Sequence, residues 1–367
     1  MKSTEFKRLV LTWVCPVVLG ASLLLSVHAR GAVAVTVSPA IITNDFVGKI
    51  SISVTGLTAG QTIRVENYGD LNANGVVNEV DYVMRSFTVT DGQIPLLAGC
   101  TNLNVPGDED ALTNGQIRTE LLFPGVDSVL DRIAAKYLVR VSDPIGSFTP
   151  ITNSFEVRQR VYPQGVMGKV VAGGTGLPLT NAVVVAIFQK QPGGLAAVAD
   201  ADGNYTLYSP PGNYVLIVIH SGYVLDPNEG LVSVSSNAFA VKNLTNNTTP
   251  WTVSGQLRDS ASGTGLAGLF IEANSSSGFF TGTFTDTNGN YTLKVTPGEW
   301  RFGPNESQLA QVGYLRLSSK AVTNVSSEVS NLNSPVKKAK SLIYGRIRYE
   351  EHTPEIQQPK PKTYDVF

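Results

Sequence analysis

The residues with the clearest chemistry in this chain are oxygen-bearing side chains spaced at intervals through residues 70–81. Counted from Asp70, they stand at positions 1, 3, 5, 9 and 12, with Gly75 at position 6. A loop of this length surrounds Ca²⁺ with such a spacing, because the ion needs hard oxygen ligands and the chain must bend sharply at position 6. The predicted ligands are the side chains of Asp70, Asn72, Asn74 and Asp81, the backbone carbonyl of Val76, and Asn78 acting through a water.

A second interpretation of the same residues is an Asn/Gly-rich turn between two strands, since both residue types accept positive φ. The agreement of the ligand positions with Gly75, and with the apolar Val77 as an anchor to the core, favours calcium. Because only two ligands are carboxylates, we expect an affinity of about 10⁻⁴–10⁻³ M, as in extracellular modules. The expected role is to stabilise the fold rather than to switch it.

The loop resembles that of type I dockerins, EF-hand-type docking modules whose loops also end in aspartate. Dockerins carry two such loops. The nearest second candidate here begins at Asp110 and has Leu112 at position 3, where a ligand is needed. The first loop also lies within a β-rich region. Protein docking, which the resemblance implies, is therefore the third-ranked function.

Residues 1–29 are predicted to be a secretory signal peptide. Lys2, Lys7 and Arg8 form a basic start, an apolar run follows, and small residues precede the expected cleavage after Ala29. An uncleaved membrane anchor is the alternative. No later segment is apolar enough to span a bilayer, so we expect an extracellular or cell-surface protein without a membrane span after cleavage.

Composition and charge exclude some functions. The formal net charge is −1 and charged residues make up only 16% of the chain, without a basic cluster, which argues against nucleic acid as a partner. After cleavage, Cys100 would be the only cysteine, so an internal disulfide is impossible. Its role stays open between a buried apolar residue and an intermolecular bridge.

Alternation of apolar and polar residues predicts an all-β chain of tandem antiparallel β-sandwiches. Residues 33–160 are expected to form an immunoglobulin-like sandwich that contains the calcium loop. A short helical turn is expected over Glu79–Ser86. Apolar residues at helical spacing between Val126 and Tyr137 predict a second short helix.

Residues 161–248 and 249–340 form an internal repeat. Asp200–Leu207 matches Asp286–Leu293, and Pro211–Tyr214 matches Pro297–Trp300. The spacing of about 90 residues suits tandem domains rather than a solenoid. Residues 341–367 would begin an incomplete third repeat and continue as a disordered tail.

The first repeat carries the pattern Gly-x-Pro-Leu, Asp-x-x-Gly-x-Tyr, Pro-Gly-x-Tyr and Gly-Tyr, and the second carries part of it. The first repeat matches it at Gly168, Gly176, Pro178, Leu179, Ala182, Val184, Asp200, Gly203, Tyr205, Pro211, Gly212, Tyr214, Gly222 and Tyr223. The second departs from it at Ala267 and Trp300. The repeats resemble carboxypeptidase-regulatory-like domains, which are transthyretin-like (prealbumin-like) sandwiches related to the starch-binding-like fold. The resemblance implies domains without an active site of their own.

No catalytic set emerges from the residues, so we predict that the chain is not an enzyme. Beyond the signal peptide the histidines are His220 and His352, and neither a Gly-x-Ser-x-Gly elbow nor a histidine partner for Cys100 is evident. The starch-binding-like resemblance implies possible glycan contacts. Phe279, Phe280 and Tyr208 are the candidate ligand-facing aromatics, with packing against the core as the alternative.

These observations favour a secreted, non-catalytic, calcium-binding scaffold or adhesion module with a cell-surface protein or a polysaccharide as partner. Carbohydrate binding through the sandwich domains is the second-ranked function, ahead of dockerin-like docking.

Overall fold

Strands dominate the described chain because short runs of β-branched and aromatic residues alternate with Gly, Pro and Asn turns. The computed structural model describes residues 32–97, 100–101, 106–123, 129–190 and 192–340, and only the backbone of residues 97, 100 and 101. The predicted signal peptide (residues 1–29) and the predicted third repeat and tail (residues 341–367) lie outside this part of the chain.

The first sandwich has one sheet of three strands and one of five, in the orders β1-β3-β8 and β2-β10-β9-β4-β5. Its strands are β1 (Ala34–Ser38), β2 (Ile41–Thr43), β3 (Gly48–Thr55), β4 (Thr62–Asp70), β5 (Tyr82–Thr90), β6 (Leu96–Leu97), β7 (Cys100–Thr101), β8 (Ile117–Phe123), β9 (Ala135–Ser142) and β10 (Ile151–Arg158). Strands β6 and β7 pair only with each other. Between the two sheets Tyr137 stacks on Phe155 with ring centroids 4.9 Å apart, and both rings are buried.

Both helical predictions for this sandwich were wrong in extent. The residues expected to form a helical turn at Glu79–Ser86 enter strand β5, which pairs with β4 along its length. The helical spacing between Val126 and Tyr137 yields a single 3₁₀ helix, Val129–Arg132, within the described residues. The pattern misleads there because Ala135 already belongs to β9, whose ladders with β4 and β10 outweigh local helix propensity.

The second sandwich consists of sheets β14-β11-β19-β16 and β13-β12-β15-β17, with β18 pairing beside β11. Its strands are β11 (Gly165–Ala172), β12 (Val183–Phe188), β13 (Gly194–Val198), β14 (Asn204–Tyr208), β15 (Gly212–Ile219), β16 (Tyr223–Leu225), β17 (Leu231–Val234), β18 (Phe239–Val241) and β19 (Leu244–Thr248), with a 3₁₀ helix at Pro227–Gly230.

The third sandwich repeats this topology in sheets β23-β20-β27-β25 and β22-β21-β24-β26. Its strands are β20 (Trp251–Asp259), β21 (Phe270–Ser275), β22 (Phe280–Phe284), β23 (Asn290–Val295), β24 (Gly298–Pro304), β25 (Tyr314–Arg316), β26 (Ala321–Val325) and β27 (Ser334–Lys338), with helix α1 at Glu306–Gln311. In both repeats the first strand pairs antiparallel with one neighbour and parallel with the other.

The repeat also holds at the level of single hydrogen bonds. In the first hairpin turn the Asp200 carboxylate accepts from the backbone N–H of Asn204 at 2.8 Å, and in the second Asp286 accepts from that of Asn290 at 2.8 Å. Each turn thus satisfies its backbone donors with the same side chain, as an Asx turn does.

The first and third sandwiches are in contact with each other, although the second lies between them in the sequence. The third sandwich packs on β5 of the first, where the Tyr82 and Phe284 rings lie 5.4 Å apart. In the same junction the Gln308 side chain donates to Asp131 at 2.7 Å. The described residues from Val33 to Lys340 therefore form one compact unit.

The helices described are too short to cross a bilayer, and α1, with six residues, is the one α-helix among the described residues.

Candidate metal centre

The predicted calcium loop connects two neighbouring strands of the five-stranded sheet. Asp70 is the last residue of β4, and Asp81 immediately precedes β5. Strands therefore flank the loop on both sides, whereas the dockerin and EF-hand resemblance implies flanking helices. Hairpin pairing of β4 with β5 fixes the two ends of the loop close together without helices.

Asp70 organises the first half of the loop from a buried position, with 1% of its surface exposed. Its carboxylate accepts hydrogen bonds from the backbone N–H groups of Asn74 at 3.1 Å and Gly75 at 2.8 Å. Gly75 adopts φ +76°, a conformation that glycine accepts without a Cβ clash. The bend predicted at position 6 is therefore present.

Asp81 closes the loop from its other end and is 9% exposed. Its two oxygens accept from the backbone N–H groups of Asn78 at 2.8 Å and Leu71 at 3.3 Å, which brings its carboxylate beside the start of the loop. Burial raises the pKa of Asp81, and the negative charge of Asp70 raises this pKa further. Two buried carboxylates thus repel each other here, and a bound cation would offset that repulsion.

The three asparagines of the loop are preorganised by local hydrogen bonds. The side-chain oxygen of Asn72 accepts from Asn74 N–H at 3.3 Å, that of Asn74 accepts from Val76 N–H at 2.8 Å, and that of Asn78 accepts from Val80 N–H at 3.0 Å. An amide oxygen carries two lone pairs, so each keeps acceptor capacity for a cation or a water.

The donor set fits a hard, oxygen-binding cation. Among the described residues no ion pair involves Asp70 or Asp81, and no three His, Cys, Asp or Glu side chains converge to hold a metal. The ligands would therefore be two carboxylates with amide and backbone oxygens, which suit Ca²⁺ better than Zn²⁺. The Lys136 ammonium lies 3.3 Å from where a Cβ on Gly75 would stand, and its charge opposes tight binding.

A second turn shows which features are specific to the candidate site. Near Asp110 the partner of the turn is Asp91, a residue earlier in the chain, whose carboxylate accepts from Gly115 N–H at 2.9 Å and Asn114 N–H at 3.4 Å. The Asp70–Gly75 hydrogen bond alone is therefore an ordinary way to hold a tight turn. What the second turn lacks is a counterpart of Asn72, because Leu112 stands there.

No model of a known protein family matches this chain, and no curated protein matches it. The resemblance of the repeats to carboxypeptidase-regulatory-like domains therefore stays a resemblance.

Solved structures with similar segments exist at low identity. The chain is similar to the Bacillus anthracis TIE protein, with 14% identity over 84% of this chain and 58% of that one and a TM-score of 0.22. It is also similar to a streptococcal ancillary pilin, with 13% identity over 77% and 94% of the two chains and a TM-score of 0.22. A C-terminal fragment of the pilus adhesin SpaC from Lactobacillus rhamnosus GG has 11% identity over 50% and 100%, with a TM-score of 0.22. Likeness at this level carries no argument about function.

The three candidate ligand-facing aromatics differ in how close they lie to the calcium loop. Phe279 packs against the core of the third sandwich, and Phe280 stacks on Phe270 with centroids 6.4 Å apart and lines a cavity of about 240 Å³; both rings are half-buried. Tyr208 meets Phe239 edge to face at 5.6 Å and lines a groove of about 780 Å³ between the first and second sandwiches. Ala73 of the calcium loop lines the same groove, a proximity that no spacing in the sequence could indicate.

Proposed function

We propose that this protein is an extracellular, non-catalytic scaffold or adhesion module whose first sandwich is stabilised by one Ca²⁺ in the loop of residues 70–81. The observation that carries the proposal is the pair of buried carboxylates, Asp70 and Asp81, each of which accepts backbone N–H groups of the loop and neither of which forms an ion pair in the described structure. Bound calcium would supply the direct cationic partner that this pair lacks.

The position of the loop supports a structural role for the metal. Val77, the predicted apolar anchor, packs against a cluster of Tyr68, Val83 and Leu138, and Ala267 of the third sandwich packs against the same cluster. A cation that holds the loop in place would therefore also hold the surface on which the third sandwich rests.

Calcium is expected to raise the melting temperature of the full chain. At a calcium concentration about 100 times the dissociation constant the stabilisation should approach about 2.7 kcal/mol, provided that only the folded state binds. Calorimetric melting with calcium and with a chelator measures the effect, and isothermal titration gives the affinity. If calcium neither binds nor shifts the melting temperature, the metal part of the proposal is wrong.

Asn72→Ala and Asn114→Ala are the matched variants for this experiment. Both asparagines are exposed and lie in turns held by an aspartate, but only Asn72 is a proposed ligand. We expect Asn72→Ala to weaken calcium binding by roughly tenfold, as loss of one ligand contact does. Asn114→Ala should leave the affinity unchanged, and an equal loss in both variants would contradict the assignment.

Polysaccharide binding is a second candidate function, favoured by the groove that Tyr208 lines. Besides this ring the groove presents Lys136, Glu156, Arg158 and Gln159, side chains that can meet sugar hydroxyls. A half-exposed tyrosine beside such groups offers a face for a sugar ring.

Tyr208→Ala is expected to abolish co-sedimentation with any polysaccharide that the unmodified chain binds, because it removes the aromatic face of the groove. Tyr162→Ala is the control, since Tyr162 lies under Arg160 and does not line the groove. The assay is run with calcium and with a chelator. Retention of binding in Tyr208→Ala, or no binding by the unmodified chain, would exclude this groove as a glycan site.

A further inference from the structure

A cleft of about 610 Å³ lies between the first and third sandwiches, on the side where β5 meets the loop that precedes β21. Its volume falls in the range of small-molecule sites, which occur preferentially where domains meet. It is separate from the calcium loop and from the groove that Tyr208 lines, since none of the loop residues 70–81 contributes to its wall.

The inner wall of the cleft is apolar. Phe87 and Leu122 from the first sandwich and Leu266 and Val312 from the third line it half-buried, whereas Leu121 and Leu269 pack inside the cores of their own sandwiches. A surface of this kind lowers the free energy of a bound hydrocarbon group by removing it from water. The cleft therefore suits a ligand with an apolar body.

The outer wall carries an excess of positive charge. Arg64, Arg85 and Lys338 line the cleft, against one carboxylate, Glu120. Glu120 is already ion-paired with Lys49, while Arg85 bonds to Gln311 at 2.5 Å.

Two of these cations form no close ion pair among the described residues, although Lys338 also interacts electrostatically with Asp259. Arg64 and Lys338 are exposed, come from opposite sandwiches and form no ion pair with any described residue. In a chain of net charge −1, an apolar recess with two exposed cations that form no close ion pair is complementary to an anion with a hydrocarbon body.

We propose that this cleft binds an amphipathic carboxylate, with the hydrocarbon part against Leu122 and Leu266 and the carboxylate between Arg64 and Lys338. The site requires the first and third sandwiches together, because each supplies one cation and part of the apolar wall. It does not depend on calcium binding at residues 70–81.

Three probes with the same ten-carbon chain test the proposal: decanoate, decanol and decyltrimethylammonium. Isothermal titration is performed on the full chain in calcium-free buffer, which avoids insoluble calcium soaps and separates this test from that of the metal site. We expect decanoate to bind roughly tenfold more tightly than decanol, and the cationic probe to be the weakest. Equal binding of all three, or no binding of decanoate, would overturn the proposal.

Variants then locate the bound probe. The pair Arg64→Gln with Lys338→Gln should reduce decanoate affinity to that of decanol. The pair Arg301→Gln with Lys294→Gln changes the net charge equally at exposed positions outside the cleft and should have no effect.

Thr264→Trp, at an exposed position on the cleft wall, should block decanoate and decanol alike by filling the recess. Equal losses in both charge pairs, or unchanged binding in Thr264→Trp, would show that the probe binds elsewhere.

Discussion

Trp300→Ala is expected to lower the free energy of unfolding by about 3–5 kcal/mol, the usual cost of truncating a fully buried large aromatic. Trp300 has no exposed surface, lies on β24 in the centre of the third sandwich, and stacks beside Phe302 with centroids 6.4 Å apart. Its indole N–H also donates to the backbone carbonyl of Thr296 at 2.8 Å, so alanine would leave both a cavity and an unpaired acceptor.

The first repeat supplies the control for this substitution. Tyr214 occupies the equivalent position, is equally buried, and donates its hydroxyl to the carbonyl of Pro210, also four residues earlier, at 2.6 Å. Trp300→Tyr should therefore cost only about 1–2 kcal/mol, since it changes volume but can keep the polar contact. Urea denaturation followed by far-ultraviolet circular dichroism measures both variants. Equal costs for tyrosine and alanine would mean that the repeats are not equivalent at this site.

The equivalence of the two repeats could be predicted from the sequence because interactions between residues close together in the chain determine it. Asp200 and Asp286, with the glycines three residues later, set hairpin turns that allow little else, and the alternating strands after them fix which side chains enter the core. The same holds for the bend at Gly75, where ligand spacing and positive φ coincide. Such features need only neighbours in the chain.

Features that depend on distant segments could not be predicted in this way. The residues before strand β5 have only a weak local preference for one type of secondary structure. Strand β5 forms because it pairs with β4, so the helical turn expected at Glu79–Ser86 does not form. Tyr208 lines a groove with Ala73 only because the first and second sandwiches pack together. The junction of the first and third sandwiches joins Tyr82 to Phe284, residues with a whole domain between them in sequence.

The departure expected at Ala267 is corrected by the structure, because the hydrogen bonds of the two repeats align Leu179 with Leu266 rather than with Gly268. Gly268 takes the place of Asn181: its N–H bonds the carbonyl of Thr285 as that of Asn181 bonds the carbonyl of Ala199, and both residues have positive φ. Gly268 has φ +73° and lies against β5, where a Cβ would come within 2.8 Å of the Arg85 backbone. The second repeat thus has glycine where the first has an asparagine at positive φ, and glycine is small enough for direct backbone contact with another sandwich.

Gly268→Ala is therefore expected to destabilise the chain by about 2–4 kcal/mol, from the strain of alanine at positive φ together with overpacking against a backbone that cannot rotate away. Gly263→Ala is a close control. Gly263 has the same φ of +73° in the same connection, but a Cβ there would meet nothing within 4 Å, so it should cost only about 1 kcal/mol. Urea denaturation of both variants measures the difference, which isolates the close approach.

The strain in Gly268→Ala can be relieved only by moving the third sandwich away from β5, and this gives the prediction a local readout. Amide hydrogen exchange should become faster in Tyr82–Thr90 and around Phe284, whose contacts cross the junction, while the hairpin at Asp200–Asn204 in the second sandwich should be unaffected. Equal stability of the two glycine variants, or unchanged exchange in β5, would show that the first and third sandwiches are not held by this contact. Because β5 begins directly after Asp81, loosening the junction should also weaken calcium binding at the loop, so the metal and the third sandwich would stabilise the same strand from its two sides.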